Sequence, residues 1–152
     1  MGHFAHHASV LTALLAVFVT GVKPGYAHGD SSEIDRGIRI ETLARSMRQW
    51  DGTRLPAYPV NQPEIQILKI TIPAGATLPL HSHPVINAGF ILQGALEVQL
   101  KDGPSKVIRT GEALIEVVNT VHSGRALPGT DVEIVVFYAG TPGKPLTLLK
   151  RF

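Results

Sequence analysis

Two histidines one residue apart, His81 and His83 in "PLHSHPVIN", and a third, His122 in "VVNTVHSG", are the residues whose types and spacing suit chemistry. Alternate residues of a strand project to one side, so His81 and His83 present two imidazoles to a single face. Two histidines from one strand and one from another can occupy one face of an octahedron around a divalent metal, leaving positions for water or a ligand. Pro84 cannot donate to a sheet ladder, so the strand ends there. The chain then turns through Val85 and Ile86 and begins a new strand near Asn87, which brings that amide beside the histidine pair. A carboxylate would complete the set; Asn87 stands in its place.

These side chains need strands to hold them, and the sequence supplies strands. "EIQILKITI" (Glu64 to Ile72), "NAGFILQ", "ALEVQL", "KVIR", the apolar part of "TGEALIEVV", and "VEIVVFY" are short β-rich runs separated by Gly and Pro clusters. In "ALEVQL", Leu96, Val98 and Leu100 share one face while Glu97 and Gln99 share the other, a solvated one. Asp102-Gly103 reads as a hairpin turn. Only "ETLARSMRQW" (Glu41 to Trp50) has a helical pattern, which Asp51-Gly52 would stop. The reading is an all-β sandwich or small barrel with at most one short helix.

With both histidine segments and the strand pattern in hand, the sequence resembles a cupin. The first cupin motif is a Gly, five residues, His-x-His, three or four residues, a Glu, six residues and a Gly. Gly75, His81, His83 and Gly94 fit it, with Asn87 at the Glu position. The second is a Gly, five residues, Pro-x-Gly, two residues, His, three residues and Asn. Gly111 and His122 fit, whereas Val117, Asn119 and Ala126 replace the Pro, Gly and Asn. The resemblance implies a jelly-roll barrel, or double-stranded β-helix, with its core over about residues 60–140. It also implies a divalent metal, Fe, Mn, Zn or Cu, on His81, His83 and His122, with Asn87 as a further ligand or a residue holding water or substrate beside the ion.

Asn119 tolerates the left-handed turn that a Gly would occupy, since Asn visits that region more readily than most residues. Losing the Glu removes a negative charge, so the site binds metal more weakly and leaves the ion more Lewis acidic. Paired histidines can also be plain pocket-lining residues, and some cupins hold no metal. Three at all three family positions, and none elsewhere after residue 28, favour a metal. Glu116 lies six residues before His122, across a turn, a poor place from which to replace the missing carboxylate. Tyr138 suits a packed aromatic better than a pocket acid. The tail from "VVFYAG" to the end could lie against a partner subunit, and the resemblance leaves room for a homodimer.

Composition narrows the function. The 152 residues are 44% hydrophobic and 17% charged, enough for one domain with a true core. A net charge of +2, with basic residues scattered, gives no footprint for nucleic acid. With no cysteine, disulfides, thiolate metal sites and cysteine nucleophiles are excluded. Residues 1–27 read as a signal peptide: an apolar run from about Val10 to Val22, then small residues at Gly25 and Ala27 before the cut. Cleavage after Ala27 would leave residues 28–152 as one periplasmic or secreted domain with no stable membrane insertion. The alternative is an uncleaved anchor. With cleavage after Ala27, His28 would be the amino-terminal residue, solvated rather than a copper chelate. The cupin resemblance implies a three-histidine enzyme of dioxygenase type acting on a small molecule, with isomerase or lyase chemistry open on the same scaffold. The alternative is a non-catalytic module binding a small ligand or metal.

Overall fold

Long-range pairing of the β-rich runs builds the molecule. The computed structural model describes residues 37–150. The chain divides into two units, Met1–Ile40 and Glu41–Phe152, and the second holds all the strands among the described residues. The expected leader, its cleavage point after Ala27, and His28 lie outside the described residues.

The strands are β1 (Glu64–Ile72), β2 (His81–Ser82), β3 (Ile86–Gln93), β4 (Ala95–Leu100), β5 (Ser105–Arg109), β6 (Ala113–Ile115), β7 (His122–Ala126), β8 (Val132–Gly140) and β9 (Leu148–Leu149). They form two antiparallel sheets, in the orders β1-β8-β3-β6 and β5-β4-β7-β2-β9. The first eight strands follow the jelly-roll order, each sheet alternating strands from the two halves of the chain. That is the all-β fold expected from the sequence.

Period-two alternation explains the packing. On β8 the residues Val132, Ile134, Val136 and Tyr138 are buried while their neighbours are not. They meet Ile72 and Ile91 within their own sheet, and Leu96, Val98, Ile108 and Ala126 of the other, in one core. Glu97 takes the outer face of β4, where it pairs with Arg125 at 2.8 Å. The Asp102-Gly103 turn joins β4 to β5 as expected, and the Gln99 side-chain amide braces it by donating to the Leu100 and Gly103 carbonyls.

The segment Glu41 to Trp50 departs from expectation: no helix forms among the described residues. Tertiary contacts override the local pattern. Arg48 pairs with Arg54 across a turn at Asp51-Gly52, and the Trp50 N–H donates to the Ile115 carbonyl at 3.0 Å. The side-chain oxygen of Gln49 accepts from the buried Val118 N–H at 2.6 Å. A helix would withdraw each of these groups from β6 and the loop after it, leaving buried donors unpaired.

The tail is tied to its own chain. Leu148 and Leu149 add β9 to the edge of β2 within the same chain, and Lys150 N–H donates to the Leu80 carbonyl.

Candidate metal centre

β2 is only two residues long because Pro84 stops it, but it is held on both sides. His81 pairs with His122 of β7 and with Leu149 of β9. His83, just past the strand, bridges to Val118, and its carbonyl accepts from Asn119 N–H at 2.7 Å. Asn119 has a φ of 59°, the left-handed conformation expected of it, and no other non-glycine among the described residues has a positive φ. The turn that presents His122 is thus intact without the family glycine.

These constraints bring the three histidines together. Ring centroids are 4.9 Å apart for His81 and His83, 4.3 Å for His81 and His122, and 5.1 Å for His83 and His122. One nitrogen from each lies within 4.8 Å of the others, and all three residues are buried.

Hydrogen bonding decides which nitrogen. His81 Nδ1 donates to the Pro79 carbonyl at 2.7 Å, His83 Nδ1 to Leu146 at 2.9 Å, and His122 Nδ1 to Thr120 at 2.9 Å. A carbonyl can only accept, so every Nδ1 carries the hydrogen, and in a neutral ring Nε2 keeps its lone pair. Three oriented Nε2 lone pairs are what a divalent metal requires, so the residues fit one. Leu146 belongs to the tail, and the Thr147 hydroxyl also approaches His83 Nδ1 at 3.3 Å. The sequence gives no signal for either contact, since "KPLTLLK" has neither periodicity nor ligand residues.

Burial keeps the His81 and His83 rings neutral. Desolvation pushes His83 down to about 4, with nearby His122 and His81 adding to the effect, against the raising influence of its bond to Leu146. Desolvation lowers His81 too, opposed by its bond to Pro79 and reinforced by His122. Unfolded, each titrates near 6.5, so between that value and the folded one the unfolded chain binds more protons. Stability of the metal-free protein is therefore complete above pH 6.5 and declines as pH falls towards 4. His83 contributes up to about 3 kcal/mol of that loss. Urea titrations of metal-free protein between pH 4 and 8 check this; a midpoint that rises on acidification contradicts it.

The triad stands at the polar end of a cavity of about 280 Å³. Its remaining walls are apolar, among them Ile72, Ile91, Val98 and Ile134. Inward-facing Gly89 and Gly124 also line it, and wall side chains pack close over them: a Cβ at Gly89 would sit 2.7 Å from Ile134 Cδ1.

Asn87 lines the same cavity, 2% exposed. Its Nδ2 donates to the Val85 carbonyl at 3.3 Å, which turns Oδ1 the other way, without a hydrogen bond among the described residues. Tyr138 is buried against the triad, its ring 5.6 Å from that of His83, and it lines the cavity. Desolvation, with a smaller effect from Glu116, raises its hydroxyl above the usual range. Glu116 lines the cavity too but does not join the histidine group.

A family model for the cupin domain matches residues 68–138, and both histidine segments fall inside it. This chain carries a cupin domain. Solved structures agree on the fold. The cupin is similar to the DMSP lyase DddQ from Ruegeria pomeroyi, at 22% identity and a TM-score of 0.50 over 56% of this chain and 42% of that one. It is also similar to the polyketide cyclase RemF from Streptomyces resistomycificus, at 18% identity and a TM-score of 0.50 over 58% of this chain and 61% of that one. It therefore spans less than two thirds of either protein. No curated protein matches the sequence.

Proposed function

We propose that this cupin is an exported, metal-dependent enzyme of dioxygenase type that acts on a small, largely apolar molecule bearing an oxygen donor. The observation that carries the reading is the set of three Nδ1–H bonds to backbone carbonyls, which leaves three Nε2 lone pairs at the head of an apolar cavity. His81, His83 and His122 would hold the ion, with Asn87 Oδ1 beside it. A divalent ion there supplies Lewis acidity and, if it is Fe or Mn, redox capacity towards dioxygen. The chain's own residues do the rest. The hydrocarbon walls exclude water and take the apolar body of the substrate, while Tyr138 and Asn87 offer hydrogen bonds at the polar end.

Oxygen consumption by Fe(II)- and Mn(II)-loaded protein over a panel of small diketones and phenolics tests this directly. Turnover that follows the loaded metal is expected; none across the panel favours the second reading, a module that binds a small ligand or metal. One observation favours that second reading: Asn87 gives the site no carboxylate. If residues 1–27 direct export, metal would be acquired where Fe(II) is hard to keep reduced, and intrinsic affinity favours Zn or Cu.

Asn87→Glu should tighten metal binding by about tenfold or more, because it restores an anion beside a dication. Competition with a chromogenic chelator measures it. Weaker retention by Asn87→Glu than by wild type places residue 87 away from the ion.

A further inference from the structure

Glu116 is a buried carboxylate in a cavity that the triad already explains without it. Two N–H groups fix its Oε1: the Trp50 indole at 2.7 Å and the Val117 backbone at 2.8 Å. Two donors on one oxygen are the environment of an ionised carboxylate. The other oxygen, Oε2, has no hydrogen bond among the described residues, although the side chain is 8% exposed and lines the cavity. No buried side-chain oxygen among the described residues lacks a partner, so Oε2 is open to the cavity, where a ligand or water supplies its donor. Its charge is felt at the Tyr138 hydroxyl, which stands against His83 and likewise has no hydrogen bond among the described residues. The polar end thus has two sides, an electron-pair-donating triad and an anion held by Trp50.

We infer that Glu116 is a specificity residue: its free oxygen accepts a hydrogen bond from a substrate hydroxyl adjacent to the oxygen that meets the metal. The inference rests on the reading of the cavity as a metal-dependent small-molecule site, and it names the substrate class. The ligand is an enol, α-hydroxyketone or vicinal diol of phenolic type, carrying its own donor. Analogues with that hydroxyl blocked leave the carboxylate unpaired and are rejected, as are ligands with an anionic group on that side. The end of the run Glu41 to Trp50, where the sequence suggests a helix, becomes part of the site, because Trp50 aims the carboxylate.

Catechol and 2-methoxyphenol differ only in the blocked hydroxyl and serve as probes. Their dissociation constants are measured by calorimetry on the zinc-loaded full chain, for wild type, Glu116→Gln and Trp50→Phe, with zinc content determined in the same samples. Glu116→Gln keeps the volume and the acceptor for Trp50 but turns the free oxygen into an N–H donor. It should reduce the preference for catechol by about tenfold or more with zinc content unchanged, the range for a lost hydrogen bond to a charged group. Trp50→Phe keeps the charge but frees the carboxylate, and should give a smaller loss in the same direction. Should Glu116→Gln fail to fold, Trp50→Phe alone must show the shift.

An unchanged preference in the folded variants overturns the inference, and so does binding of neither probe to wild type. If wild type takes up no zinc, the metal reading fails. The same comparison in metal-free protein then still decides on Glu116.

Discussion

Substituting His122 by alanine is expected to strip the protein of its metal while leaving the barrel folded. His122 closes a triangle with the other two histidines: its ring is 4.3 Å from His81 and 5.1 Å from His83, and its backbone pairs with that of His81. Removing it leaves two nitrogens on one short segment, which cannot define one face of a coordination sphere. Partners that merely orient a ligand are worth about 10–100-fold in affinity, so losing a direct ligand should cost about 100-fold or more. Folding should suffer far less. The lost bond to the Thr120 carbonyl contributes about 1 kcal/mol, and the truncated side chain opens onto an existing cavity. Metal content and urea midpoint measured together separate the two effects. Retention of metal by a folded His122→Ala protein would contradict the site.

A second substitution should do the reverse, breaking the fold and sparing the chemistry. Gly94 ends β3 with a φ of 80°, and a Cβ there would lie 2.6 Å from the Asp131 carbonyl oxygen. That oxygen cannot yield easily, since Asp131 is anchored by its carboxylate to Ala74 N–H at 2.8 Å. On the other side, the Gly94 carbonyl accepts from Thr110 N–H at 3.0 Å. The left-handed conformation alone costs about 1–2 kcal/mol for a non-glycine residue, and the backbone clash adds to it. Gly94→Ala should therefore lose about 3 kcal/mol. Gly75→Ala is the control: its φ is 75°, but a Cβ would meet nothing within 4 Å. It should lose only the conformational part, about 1 kcal/mol. Equal losses at both positions would show that the contact with Asp131 is unimportant.

The strands with a core on one side were legible in the sequence because burial imposes alternation. "ALEVQL" is β4, with Leu96 and Val98 buried; Glu64 to Ile72 is β1 to the residue, but there Ile65 and Ile67 are exposed and Pro73 marks the end. Where the inward residues are not apolar, that signal is lost. The inward residues of β7 are His122, Gly124 and Ala126, so "HSGRA" shows no apolar rhythm and its extent cannot be read. β9 is two residues that pair with a strand more than sixty positions away in sequence, which no local pattern records. The helical pattern of residues 41–50 misleads because Leu43 and Met47 are exposed, while Gln49 and Trp50 at its end bond to β6 and the loop after it.

The site divides the same way. Motif spacing singled out the three histidines and Asn87, and the structure places all four around one cavity. Glu116 was visible only as a poor ligand, a judgement its position outside the histidine group supports. Its second role depends on Trp50, 66 residues away, which the sequence does not connect to it.

The central claim is that three oriented imidazoles hold one ion. Elemental mass spectrometry of the protein, purified without added metal or chelator, tests it most directly. About one divalent transition metal per chain is expected. A folded protein carrying only a trace of mixed metals would contradict it.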